Sequence, residues 1–287
     1  MKFIEILQEH NIPHKTEGHK HCRPGWIQIN CPFCGHRRNS YHMGYSLADG
    51  YCACWKCGWH PIVKVVAELL EVSFKEAALL TKTLLTEKTT HTKKTGKLVI
   101  PPGVIPLMDP HKQYLSKRGF DWTDLDENWE VEGIGIAPRY SWSIFIPIHY
   151  RGEVVSWTTR AIGKKQSRYC SASNKQESIS HKDLLFGEDY CTHTIIVTEG
   201  PFDVFRIGPG AVATFGTAYS TSQVAKMIRF PRRYVCFDNE PEAQRRANAL
   251  CDQLSVFDGD TFNITLNSKD AGDTSGKELA SLRKLLE

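Results

Sequence analysis

Two sets of side chains in this sequence are spaced for metal chemistry. The first is Cys31-Pro-Phe-Cys34 followed by Cys54-Trp-Lys-Cys57. Each Cys-x-x-Cys knuckle turns two thiolates to one side, and two knuckles complete a tetrahedron around one Zn²⁺. A closed Cys₄ shell has no open position, so that zinc is structural. Redox thiols explain the pattern less well, because two matched pairs would be redundant. Cys52 competes with Cys54 as a ligand, but only Cys54 has a partner at the right offset. Cys22, His21, His36 and His60 are lesser candidates nearby.

The second set is acidic. Ile195-Ile-Val-Thr-Glu199-Gly200 ends an apolar β-branched run in a carboxylate and a glycine. Tyr234-Val-Cys-Phe-Asp238-Asn-Glu240 repeats the design, and Asn263-Ile-Thr-Leu266 is followed by Asp270 and Asp273. A buried parallel strand delivers a functional group at its C-terminal edge in this way. Acids gathered from three strand ends repel one another and call for a cation, and oxygen ligands suit Mg²⁺ or Mn²⁺.

The surrounding elements follow from periodicity. Around the cysteines, Phe3, Ile6 and Leu7 share a helix face, Trp26–Asn30 alternates as a strand, and Asp49-Gly50 turns a hairpin over Tyr41–Tyr51. That is a zinc ribbon. Pro61 opens an amphipathic helix, and Ser73-Phe-Lys-Glu76 is a capping box starting another through Leu85. Thr86–Lys97 is polar and basic without apolar periodicity, as in a tether. Tyr114–Gly119 predicts a helix stopping at glycine, and Ile134–Ala137, Ser143–Ile148 and Val154–Arg160 predict strands. Beyond Gly200 a helix opens at Pro201, Ala211–Phe215 is a strand, Ser220 or Thr221 caps a helix, and Ala243–Leu254 is another. Strands alternating with helices imply a small parallel sheet. Asp203 reads as a helix-dipole charge, and Asp252, Asp258 and Asp260 as solvated charges. Leu279, Leu282, Leu285 and Leu286 form a helical stripe. The fold class is α/β, α+β overall, with an N-terminal ribbon, a mixed middle and a parallel sheet.

The bulk numbers bound the partners. With 287 residues, 41% hydrophobic and 24% charged, the chain is long enough for two or three folded domains. A net charge of +4 permits an anionic partner without requiring one. No apolar run reaches a membrane span and no signal-peptide core follows the N-terminus, so the expectation is a cytosolic protein with no membrane partner. Six of the ten cysteines fall between Cys22 and Cys57, a clustering that favours metal over a disulfide framework. The ribbon interleaves aromatic and basic side chains, a pattern suited to single-stranded nucleic acid. About half of the aromatics are expected to fill a small core, and Lys56, Arg37 and Arg38 are the better contacts. Arg160, Lys164, Lys165, Arg168, Lys175 and Lys182 precede the acidic region, where phosphates would need neutralising.

Cys31–Cys34, Tyr51–Gly58 and the Ser73-Phe-Lys-Glu-Ala start together resemble the zinc-binding domain of bacterial and phage DNA primases. Bacterial forms have histidine at the second ligand, and the all-cysteine set here resembles phage primases. Trp59-His60-Pro61 also departs from the family pattern. Tyr114–Gly119, Arg160, Arg168-Tyr169 and Lys182–Gly187 are similar to motifs of the primase polymerase domain, although Cys170–Ser180 departs from its usual pattern. Glu199-Gly200, Asp238-x-Glu240 and Lys269-Asp270-x-x-Asp273 resemble a TOPRIM domain, with Glu240 where an aspartate is usual.

The resemblance implies a zinc-ribbon template-binding domain over 1–85 and a flexible linker over 86–100. The basic part of an RNA polymerase domain follows over 101–190, then a TOPRIM catalytic domain over 191–275 and a tail over 276–287. It implies primer synthesis from nucleoside triphosphates on single-stranded DNA, with Mg²⁺ or Mn²⁺ held by Glu199, Asp238, Glu240, Asp270 and Asp273. Arg160, Arg168 and Lys182 would grip nucleotide or an RNA–DNA hybrid. The setting would be a bacterial or phage-infected cytosol. With no P-loop in the sequence, a replicative helicase is expected as a separate partner. A zinc/TOPRIM recombination mediator that binds DNA without catalysis, and a TOPRIM nuclease, are the alternatives.

Overall fold

The computed structural model describes all residues except Met1, 35–39, 48–49, 87–95 and 164–167. The chain divides into two units. One comprises Met1–Thr90, Ser220–Arg229 and Asn248–Asp260, and the other His91–Tyr219, Phe230–Ala247 and Thr261–Glu287.

The first unit opens with α1 (Phe3–Glu9) and an antiparallel sheet in chain order: β1 (His14–Lys15), β2 (Trp26–Ile29), β3 (Met43–Ser46), β4 (Cys52–Cys54) and β5 (Gly58–His60). Phe3, Ile6 and Leu7 of α1 are buried together with Ile27, Ile29 and Met43, and the Phe3 ring lies 4.5 Å from Tyr45. The apolar face read in the sequence is thus the one that closes this small core. Gly44 pairs with Gln28 across β2 and β3, and a Cβ there would stand 2.9 Å from both Gln28 and Trp26. Only glycine allows so close an approach.

Three helices follow: α2 (Ile62–Leu70), α3 (Phe74–Leu80) and α4 (Lys82–Thr86). The capping box forms as read. Ser73 Oγ accepts from Glu76 N–H at 3.2 Å, and the Glu76 carboxylate accepts from Ser73 N–H at 2.9 Å. The single helix expected through Leu85 is instead interrupted at Thr81. That buried hydroxyl donates back to Ala77 O at 2.8 Å, and such back-bonding bends a helix.

The second unit carries two sheets. β6 (Val104–Ile105), α5 (Asp109–Lys117), α6 (Trp122–Trp129), β7 (Glu132–Ile134), β8 (Ser143–Tyr150), β9 (Glu153–Ala161) and β10 (Tyr169–Ser171) build an antiparallel sheet in the order β10-β9-β8-β7-β6. β8 and β9 meet at Arg151 and Gly152, both with positive φ, and both N–H groups donate to Asp189 at 2.9 Å. β7 ends at Ile134, where the sequence predicted a strand to begin. Beyond it Ala137 enters a turn, its N–H held by Ser141 Oγ at 3.0 Å.

Then come β11 (Thr194–Thr198), α7 (Pro201–Ile207), β12 (Ala211–Ala213), α8 (Thr221–Met227), β13 (Arg232–Val235), α9 (Pro241–Leu254), β14 (Asp260–Asn263) and α10 (Gly276–Lys284), of which α8 and the part of α9 from Asn248 belong to the first unit. The third sheet has the order β12-β11-β13-β14, with β11 parallel to both β12 and β13. β14 lies just before the expected strand. Its pairing runs on only to Ile264, whose N–H donates to Val235 O at 2.8 Å. The apolar residues that marked the expected strand instead turn inward, burying Leu266.

Ile144, Ile146 and Ile148 of β8, Ile196 of β11, Phe202 and Phe205 of α7 and Trp129 of α6 belong to one buried cluster. Each such side chain stabilises by about 1.5–3 kcal/mol relative to exposure. The two sheets of this unit therefore share one core. Among the described residues no helix is long and apolar enough to cross a membrane.

Candidate active site and metal centre

The four cysteines converge as their spacing predicted. The Sγ atoms of Cys31, Cys34, Cys54 and Cys57 all lie within 4.8 Å of one another. Cys31 and Cys57 are 3.4 Å apart, Cys34 and Cys54 3.7 Å. Burial pushes the Cys54 thiol up, but backbone N–H groups of Cys57 and Lys56 outweigh it and hold the thiol below its ordinary value. Burial instead raises the Cys34 and Cys57 thiols, and it is the convergence of the four sulfurs that suits a tetrahedral zinc.

The lesser candidates stand apart from this set. Cys52 is fully buried but outside the cluster. His60 reaches it only indirectly, with Nε2 3.1 Å from Cys57 Sγ and its ring stacked on Phe33. His21 packs beside Trp55. His42 lies 3.2 Å from Cys34 Sγ and bonds Ser40 Oγ at 2.6 Å. Nothing in the local sequence marked His42, because its approach depends on β3 pairing with β4. Tyr41 and Tyr45 are buried, while Trp55 and Trp59 are exposed, Trp55 beneath the Arg23 guanidinium. Lys56 is exposed, and His36, Arg37, Arg38, Lys164 and Lys165 lie outside the described residues.

In the second unit the acids are gathered by the loops that leave the parallel strands. Glu199 directly follows β11, and its Oε1 accepts from Asp238 N–H, beyond β13, at 3.0 Å. Asn239 N–H donates to Lys269 O at 2.8 Å, tying that loop to the one bearing Asp270. Asp270 caps the turn to Asp273, accepting its N–H at 2.8 Å. Asp203 links the first and third loops. Its two oxygens accept from Gly200 N–H at 2.8 Å and Gly272 N–H at 2.9 Å.

This crowding shows in the acidities. Burial, then the charges of Glu199 and Asp203, lift Asp238 to about 7. Burial lifts Asp203 to about 7 as well, and raises Glu199 despite the hydrogen bond from Asp238. The carboxylates do not close on a point as the cysteines do. Among the described residues only the cysteine set brings three or more ligand atoms within 4.8 Å. Mg²⁺ usually takes one or two carboxylates and completes its shell with water and substrate phosphates, so acids need not close on a point to hold it.

A cavity of about 790 Å³ opens over these loops, lined by Glu199, Asp238, Asp270 and Asp273 and by the cations Arg118, Arg160, Arg168, Lys182 and Lys269. Arg160, on β9, donates from Nε to the Tyr114 hydroxyl at 3.2 Å and lies over the rings of Tyr169 and Phe202. Lys182 donates to Phe215 O at 3.0 Å, and burial lowers its pKa. Arg118 stands over Phe202 and reaches Asp273 at 3.4 Å. Glu240 is absent from the wall and is exposed, 3.7 Å from Lys269. Asp203, read from the sequence as a helix-dipole charge, lines the cavity, as do Arg118, Tyr169 and Lys269, which the sequence offered within motifs but without a role of their own.

No family model matches the chain, and no curated protein matches it in sequence. Solved structures do resemble it. The Aquifex aeolicus primase, comprising zinc-binding and RNA polymerase domains, superposes with a TM-score of 0.54 at 17% identity, over 100% of this chain and 82% of that one. A DnaG primase catalytic domain bound to single-stranded DNA gives 0.54 at 16% identity, over 73% and 78% of the two chains. The E. coli primase catalytic core gives 0.51 at 17%, over 61% and 72%. At these identities the likeness is one of fold. The chain has the fold of the zinc-binding and RNA polymerase domains of DnaG-type primases.

Proposed function

We propose that the protein is a DNA primase that makes short RNA oligomers from nucleoside triphosphates on a single-stranded DNA template. The observation that carries this reading is the cavity, in which strand-end carboxylates share one wall system with five cations. A polyanionic substrate fits the cations, and the acids fit the divalent metal that accompanies it.

Asp238 and Asp270, with Glu199 and Asp273 beside them, would hold Mg²⁺ or Mn²⁺, and Glu240 would act from outside the wall. The chemistry such an ion supplies when bound is neutralisation of charge on the triphosphate and the transferring phosphoryl group. Arg160, Arg168 and Lys182, joined by Arg118 and Lys269, hold the phosphates of nucleotide and hybrid. Glu199, whose pKa burial raises, is suited to take the proton of the attacking hydroxyl. The Cys₄ unit holds one structural zinc and presents Lys56 and Trp55 to the template, with Arg37 and Arg38 assigned the same role from sequence. A separate replicative helicase is the partner this reading implies.

The test is to incubate the chain with single-stranded DNA, labelled nucleoside triphosphates and Mg²⁺ or Mn²⁺, beside Glu199→Gln and Asp238→Asn. Short oligomers made by the wild type and lost in both variants support the primase. DNA binding without synthesis on varied templates would point to a mediator, and shortening of the DNA to a nuclease.

A further inference from the structure

Between β10 and β11 the chain sets a buried carboxylate beneath a histidine of the cavity wall, and the mechanism above uses neither. Glu177 is fully buried. Its Oε2 accepts from Ser156 Oγ of β9 at 2.7 Å, from His181 N–H at 3.0 Å and from His181 Nδ1 at 2.9 Å. Its Oε1 is buried with no hydrogen-bond partner among the described residues. Burial pushes this carboxyl up, but the bonds from His181 and Ser156 prevail and keep it below its ordinary value. An ionised carboxylate only accepts, so Nδ1 carries a proton.

The imidazole is therefore fixed on three sides: its backbone and Nδ1 are tied to Glu177, and its ring stands edge-on to Phe215 at 5.3 Å. Nε2 has no partner among the described residues, and the ring lines the cavity next to Lys182. A histidine serving only to satisfy Glu177 would have no reason to line the cavity beside Lys182.

We propose that His181 is a phosphate-binding residue of this cavity and Glu177 its positioning residue. Protonated, the imidazole donates Nδ1–H to Glu177 and Nε2–H to a phosphate oxygen, and the buried carboxylate balances its charge. The phosphate comes either from the triphosphate of an incoming nucleotide or from the backbone of a bound strand. The assignment of those sources rests on the primase reading.

The test uses the full zinc-loaded chain, titrated calorimetrically with inorganic triphosphate, with ATP and with a short single-stranded DNA. His181→Asn keeps a donor near Glu177 and removes the one at Nε2, whereas His181→Gln places an amide near Nε2. In the Asn variant triphosphate and ATP should bind about tenfold more weakly at an unchanged melting temperature, the loss expected for one charge-assisted contact. The Gln variant should recover part of that loss. Glu177→Gln should weaken triphosphate binding by a smaller factor. Weakening confined to DNA would still support a phosphate contact and assign it to the strand. Wild-type affinity for all three probes in whichever His181 variant is folded would overturn the proposal. Absent oligomer synthesis by the wild type would instead count against the primase reading, and the inorganic triphosphate titration would still decide the role of His181.

Discussion

The Asp203 carboxylate accepts the backbone N–H of Gly272 at 2.9 Å, joining segments 69 residues apart. Its other oxygen accepts from Gly200, so one buried side chain sets the loop after Glu199 against the loop bearing Asp270 and Asp273. Asn at this position keeps one acceptor and turns an amide N–H toward a backbone N–H. A buried donor left unpaired costs on the order of 1–3 kcal/mol. Asp203→Asn should lower stability to denaturant by about that much and reduce synthesis by at least tenfold, with bound zinc unchanged. Wild-type stability in this variant would remove Asp203 from the account.

Asp238 supplies a pH signature. Its folded-state pKa is raised to about 7, first by burial and then by Glu199 and its acidic neighbours. The native state therefore keeps a proton that the unfolded chain, near its ordinary value of about 4, has already released. Where the native state binds more protons, stability falls as pH rises. The window is about pH 4 to 7, and the full penalty is present above it. Asp238→Asn should then exceed the wild type in stability above pH 7 by on the order of 1 kcal/mol, a figure discounted for solvent screening at this half-exposed group. The gap should close toward pH 4, and Mg²⁺ should narrow it above pH 7 by stabilising the wild type. Thermal melts of both proteins across this range check the sign, and a difference independent of pH would exclude the assigned cause.

The cysteines separate by function. Cys34→Ala or Cys54→Ala should abolish zinc binding and, with it, the fold of the ribbon, as should a strong chelator. Cys52, buried but outside the cluster, should be replaceable by Ala at a cost of about 1 kcal/mol while one zinc remains bound. Metal analysis alongside far-ultraviolet dichroism distinguishes the two groups. Zinc retained by Cys54→Ala would show that the tetrahedron is drawn wrongly.

Arg160 is held by Tyr114 and lies over the rings of Tyr169 and Phe202. Lysine keeps the charge but loses the planar fork that stacks and bridges two oxygens. Arg160→Lys should therefore raise the KM for nucleotide about tenfold with little change in melting temperature. An unchanged KM would reduce Arg160 to a packing role.

What the sequence disclosed was set by how local each signal is. A Cys-x-x-Cys knuckle is complete within four residues, and the acid ending β11 is announced by the apolar run before it. Asp203 was readable as a helix-dipole charge because its neighbourhood offers a sufficient explanation, whereas its partner Gly272 is remote. Arg118 and Asp273 are 155 residues apart, and Glu177 meets Ser156 only through the β9 packing. Glu240 shows the converse. Its spacing groups it with Asp238, but its side chain turns to Lys269 and stays off the cavity wall.

The most direct measurement of the central claim is to supply the chain with single-stranded DNA, Mg²⁺ and nucleoside triphosphates labelled in parallel at the α- or the γ-phosphate. De novo template-dependent synthesis predicts short oligomers carrying α label throughout and γ label only at the first nucleotide, with neither product formed by Glu199→Gln or Asp238→Asn. Bound but unextended DNA on every template, or DNA shortened during the incubation, would contradict it.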